Sequence, residues 1–211
     1  MTKNLIIFAS GSKDGGGSGF ENLVQKMHEG VIEAKIVAVV SNHADGGVRH
    51  RADKLEVPFI HFAGPYTDEN YKKIIEETKA DFSALSGWLK MVKGLDPRTT
   101  FNIHPGPLPK FGGKGMYGHY VHEAVMEGFN KGQVTHSAVT MHFVDSEYDT
   151  GPIFFRMPVE IFPGSTRETL AARVLKTEHT WQPIITDLVV NGKIGWDGKN
   201  PDSLYGAQLY K

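Results

Sequence analysis

The chain has 211 residues, 40% hydrophobic and 22% charged, with a formal net charge of −1, so one domain with a buried core is expected and disorder is not. The near-zero charge argues against a nucleic-acid-binding stripe or a polybasic membrane anchor, while leaving small anionic ligands open. There is no cysteine, which excludes disulfides, thiol catalysis and thiolate metal sites. The apolar run after Met1-Thr2-Lys3-Asn4 is too short for a signal peptide, and no stretch nears the ~18 apolar residues of a membrane span, so a cytoplasmic protein is expected.

In chain order, Leu5 to Ala9 reads as a buried strand, and Phe20 to His28 as a helix with Phe20, Leu23, Val24 and Met27 on one face. Ile36 to Ser41 is a β-branched strand of the parallel-sheet type. Val48 to Leu55 reads as a helix, Val57 to Phe62 as a strand, and Asp68 to about Lys79 as a helix with acidic residues in its first turn. Phe82 to Trp88 and Thr100 to His104 are two more strands. This alternation predicts an open, mostly parallel, doubly wound α/β sheet.

Beyond it, Ser137 to Val144 alternates, with His136, Ala138, Thr140 and His142 facing one way. Ile153 to Ile161 follows as a strand, so antiparallel pairing is expected in the C-terminal half. A capping box, Ser165 with Glu168, is expected to open a helix that Pro183 bends or interrupts. The Gly/Asn/Asp-rich tail after Asn191 is expected to be loosely packed.

The first strand runs into SGSKDGGGSGFENL, residues 10–23. A glycine-rich turn leading into a helix aims backbone N–H groups at an anion. The letters fit neither strong nucleotide motif: Lys13 is followed by Asp14, not Ser or Thr, and G-x-G-x-x-G cannot be placed. On this stretch alone, a phosphate cradle and a mobile surface loop remain open.

Asn102 and His104 are two apart on a strand, so their side chains leave the same face. They lie at the strand's C-terminal end, where open α/β sheets place their sites. An amide donor beside an imidazole suits stabilising an oxyanion and moving a proton near pH 7. Among Asp145, Glu147 and Asp149 in the turn that follows Val144, Asp149 is best placed to fold back over His104 and raise its pKa. His119, His122 and Glu123 resemble a metal pair without a third ligand and read as surface helix. His136 and His142 either line a cleft or pack, and Glu178-His179 reads as exposed.

The segments LSGWLKMV, NIHPGPLPKFGGKGMYGHYVHEAV, HFVDSEYDTGP and LKTEHTWQP resemble, in order and over nearly the whole chain, the 10-formyltetrahydrofolate-dependent formyltransferases. GGKGMYG and the absence of an extra domain point to the branch acting on glycinamide ribonucleotide (GAR). The resemblance implies one Rossmann-like domain over 1–211, with a phosphate-binding half over 1–100 and a folate-binding, catalytic half over 101–211. It implies formyl transfer from 10-formyltetrahydrofolate, as co-substrate, to the GAR amine in purine biosynthesis. Neither a metal nor a nucleic-acid or membrane partner is implied, and the protein would be a monomer or homodimer. Asn102, His104 and Asp149 match the catalytic trio. Gly17, Ser18 and Gly19 would hold the phosphate and Glu178 the ribose, and backbone around Lys90, Met91 and Val92 and around Phe143, Val144 and Asp145 would meet the pterin. Residues 13–16 are an insertion relative to the family's compact turn, Gly19 stands where Asn is usual, and Lys90 stands where Arg is common. Another amine acceptor, or water in a formyltetrahydrofolate hydrolase, is the alternative.

Overall fold

Strands that are apolar on every residue need cover on both faces, and the first strand shows how the chain supplies it. Leu5 and Ile7 point into one core and Ile6 and Phe8 into another, and all four are fully buried, as the two-residue period of a strand requires. The computed structural model describes residues 2–13 and 15–210. In chain order it contains β1 (Lys3–Phe8), α1 (Ser18–His28), β2 (Ala34–Ser41), α2 (Gly47–Lys54), β3 (Phe59–His61), α3 (Asp68–Thr78), β4 (Phe82–Leu85) and β5 (Thr100–His104). It continues with α4 (His119–Asn130), β6 (His136–Phe143), β7 (Ile153–Glu160), α5 (Arg167–Val190) and β8 (Gln208–Leu209).

All eight strands form one sheet in the order β3-β2-β1-β4-β5-β6-β7-β8. The β3-β2-β1-β4-β5 part is parallel, β6 is antiparallel to both β5 and β7, and β8 is parallel to β7. The first core takes Phe20 and Leu23 of α1, Val121 and Val125 of α4, and Leu170 and Val174 of α5. The second is closed by Tyr71 and Ile74 of α3 with Trp88 and Val92. The chain leaves β1 for β2 on one side and returns to β4 on the other. That reversal opens a crevice at the C-terminal ends of β1 and β4, the usual ligand position in such sheets.

Three expectations change. The cap of α5 is Thr166, whose side chain accepts from Thr169 N and whose backbone N–H donates to Thr169 Oγ1. Ser165 instead accepts from Phe162 N and Arg173.

Pro183 does not break α5, which runs unbroken to Val190. Proline has no N–H to give the carbonyl four residues back, that of His179. Asn22 Nδ2, from α1, donates to that oxygen at 2.8 Å, so the neighbouring helix replaces the missing bond.

The tail is anchored. Ile194 and Trp196 are buried, Trp196 Nε1 donates to Pro97 O, and β8 pairs with β7. Among the described residues, no helix is long and apolar enough to cross a membrane.

Candidate active site

The site is assembled by strand register. Antiparallel pairing sets Asn102 of β5 opposite His142 of β6, and His104 opposite Thr140. His142 Nδ1 contacts its neighbour's carbonyl, Phe143 O, at 2.8 Å. A carbonyl only accepts, so Nδ1 carries the proton and Nε2 is left to accept from Asn102 Nδ2 at 3.1 Å. Asn102 Nδ2 also donates to Asp149 Oδ1 at 3.4 Å, which fixes the amide with its N–H groups toward the acid.

Asp149 reaches this position through a strained turn. Its φ is +59°, in the left-handed region that side chains disfavour. Gly112 lets it approach, since a Cβ there would press on Leu108 and on Asp149 itself. Asp149 Oδ2 accepts from Gly113 N at 2.9 Å and lies 3.6 Å from His104 Nδ1. Asp145 instead shapes the turn, its Oδ1 accepting from Thr150 Oγ1 and Glu147 N. The structure thus brings Asn102, His104 and Asp149 together and leaves Asp145 outside the cluster.

The ring of His104 is 3% exposed. Its Nε2 donates to Phe111 O at 2.7 Å, so Nδ1 is the nitrogen free to gain or lose a proton, and it faces Asp149. Burial lowers the His104 pKa, and the opposing pull of the Asp149 charge and the Phe111 carbonyl does not cancel it. The expected lift from Asp149 is present but outweighed. For Asp149 the balance is reversed. Burial pushes its pKa up, yet the His104 charge and the Gly113 N–H hold it below the usual carboxylate value.

These groups line a cavity of about 1070 Å³ that reaches the glycine loop. There α1 begins at Ser18, with Gly17 as its N-cap at φ +80° and no side chain capping its first N–H groups. Gly17, Ser18 and Gly19 all line the cavity. Of the insertion, Asp14 lies outside the described residues; Lys13 is exposed. Ser12 and Gly15 bridge to one another, and Gly47 N, at the start of α2, donates to Ser12 O at 3.2 Å. A Cβ on Gly46 or Gly47 would overlap this loop's backbone, so the loop is seated on α2.

Glu178 is half-buried and lines the cavity, against the exposed position its sequence suggests. Burial alone pushes its pKa up to about 8. Of the HYVHE histidines, His119 is exposed but His122 is 7% exposed and lines the cavity, its pKa lowered to about 4 by burial and by the neighbouring His104, Arg167 and His119. His136 is exposed, unlike His142.

The segments expected to meet the pterin adjoin the site. Val92 and Val144 pack into the second core with Trp88, and Trp88 lines the cavity. Met91 O accepts from Tyr71 Oη, Lys90 Nζ stands over the Tyr66 ring, and the Phe143 side chain is fully buried. Its backbone is engaged as well, the N–H donating to Pro152 O and the carbonyl accepting from His142 Nδ1, so Phe143 supports the site from within the core.

Sequence reasoning left the role of His142 open; period-2 alternation combined with antiparallel pairing was the available signal. Glu178 read as exposed from its residues alone, although 171, 175, 178 and 182 form one stripe of α5 and all line the cavity, a helical spacing that was the available signal.

Comparison with known proteins decides the family. Residues 3–186 match the formyl transferase family model. The chain belongs to the formyl transferase family. Among relatives in this family, the chloroplastic phosphoribosylglycinamide formyltransferase of Arabidopsis thaliana is 32% identical, over 96% of this chain and 74% of its own. That of Bacillus subtilis (strain 168) is 31% identical, over 87% and 92%. In three dimensions the fold is similar to glycinamide ribonucleotide transformylase 1 from Symbiobacterium toebii, with a TM-score of 0.81 and 26% identity, covering 94% of this chain and 92% of that one.

Proposed function

We propose that this chain transfers the formyl group of 10-formyltetrahydrofolate to the amine of glycinamide ribonucleotide, a step of purine biosynthesis. The observation that carries this reading is the cluster of Asn102, His104 and Asp149 inside one cavity that also reaches the uncapped N-terminus of α1. The names of the relatives supply the acceptor and the reaction type.

The ribonucleotide phosphate accepts hydrogen bonds from the N–H groups of Gly17, Ser18 and Gly19, where the helix dipole favours an anion. Glu178 meets the ribose. The folate enters beside the backbone of Lys90, Met91 and Val92 and of Val144 and Asp145. The acceptor amine then attacks the formyl carbon and forms a new C–N bond, and the formyl oxygen becomes an oxyanion. Asn102 Nδ2–H, released from its 3.4 Å contact with Asp149, and the Nδ1–H of protonated His104 are its donors. Asp149, ionised, stabilises the imidazolium. The bond from the formyl carbon to N10 breaks, N10 gains a proton and the amine loses one, so the proton count is conserved, with His104 and Asp149 as the relay.

The test is an assay with 10-formyltetrahydrofolate, with and without GAR, on the wild type and His104→Ala. Turnover should require GAR, and His104→Ala should lose roughly 100-fold or more in kcat. Folate turnover without an acceptor would favour a hydrolase, and no turnover with GAR in folded wild type would sink the reading.

A further inference from the structure

Gly19 lies in the first turn of α1, and no larger residue fits there: a Cβ would overlap Ser86 Oγ and come within 3.4 Å of Gln182 Oε1. Ser86 follows β4 and is 8% exposed; Gln182 is on α5 and is 2% exposed. Both line the cavity alongside Gly17 and Ser18. Ser86 Oγ donates to Gln182 Oε1 at 3.4 Å. That engages the amide oxygen, while Nε2 makes no hydrogen bond to any described residue.

Gln182 lines the cavity, so its unengaged donor is open to a ligand there. The same amide packs on the first turn of α1, its Oε1 3.4 Å from the position of a Cβ on Gly19. An amide N–H cannot bind a cation; it adds a directed donor to a site that already favours oxygen anions. Ser86 is the other half of the device, because its hydroxyl holds the oxygen end of the amide.

We propose that Gln182 Nε2 donates a hydrogen bond to the phosphate of the ribonucleotide acceptor, and that Ser86 is a positioning residue acting through Gln182. This rests on the ribonucleotide reading above. It adds a side-chain contact to a phosphate site otherwise built from backbone.

The test is direct binding, independent of turnover. Ribose 5-phosphate is titrated calorimetrically into wild type, Gln182→Met, Ser86→Ala and the Ser86→Ala/Gln182→Met double variant. Gln182→Met should raise Kd about tenfold or more, as expected for a hydrogen bond to a charged group. The double variant should match it, and Ser86→Ala should lose less. Affinity for 10-formyltetrahydrofolate should stay at the wild-type value in all three, which a merely structural defect would not allow. The double variant leaves no polar orphan and carries the test if the single one unfolds. Wild-type affinity for ribose 5-phosphate in Gln182→Met, equal loss for both ligands, or a wild type that does not bind ribose 5-phosphate would each overturn the proposal. A wild type that binds ribose 5-phosphate yet fails to turn over GAR would overturn the formyl-transfer reading alone.

Discussion

Glu178 shows what a single buried acid does to the free protein. Its pKa is about 8 in the folded chain and near 4.3 when unfolded. Between those values the folded state binds more protons than the unfolded one, so stability falls as pH rises from about 4.5 through 8. Glu178→Gln removes that loss: its Tm should change less between pH 5 and pH 8 than the wild type's, a difference read by thermal melts. A variant whose melting curve tracks the wild type across that range would show that the half-buried setting of Glu178 does not raise its pKa. The clustering of three polar residues was legible at this same scale, because Asn102 and His104 are two apart on a strand and Asp149 lies in the turn after Val144. Their environment was not legible. The depression of the His104 pKa comes from packing around the ring, which no local pattern announces.

At the scale of elements, the pairing of α1 with α5 is the feature sequence reading missed. A proline in mid-helix predicts a bend because only the helix's own bonds are visible in sequence. The replacement comes from Asn22, 157 residues away from His179. Asn22→Ala should cost about 1–2 kcal/mol by denaturant unfolding, because it strands the His179 carbonyl. In a Pro183→Ala background, where the helix makes its own bond, the same change should cost much less. Equal costs in both backgrounds would disprove the replacement. The mostly parallel, doubly wound sheet, by contrast, was legible from the β-α alternation, and so was antiparallel pairing in the C-terminal half. Helix α5's cap was misplaced by one residue because Ser165 and Thr166 compete for the same role, and only backbone geometry chooses between them.

For the whole molecule, one cavity joins the N-terminus of α1 to the cluster of Asn102, His104 and Asp149. Under the proposed function the two ends should be separable by mutation. Gly17→Val places a side chain where φ is +80° and where a Cβ already approaches Val48 Cγ2 at 3.0 Å. It should raise the KM for GAR by roughly tenfold or more while the KM for the folate moves little. Equal rises in both would mean that the loop supports the fold generally and holds no phosphate. The glycine-rich stretch itself was only half legible. Its lead into a helix pointed to an anion site, but the seat for Ser12, Lys13 and Gly15 is supplied by Gly46 and Gly47, too far along the chain for a local pattern to connect.

The bond from Asn22 to the carbonyl behind Pro183 also fixes an order for drift. A lineage that first loses the proline keeps a sound helix and frees position 22 to vary. A lineage that first loses the asparagine carries a stranded carbonyl until a second change rescues it. The two positions should therefore be replaced in one order far more often than in the other.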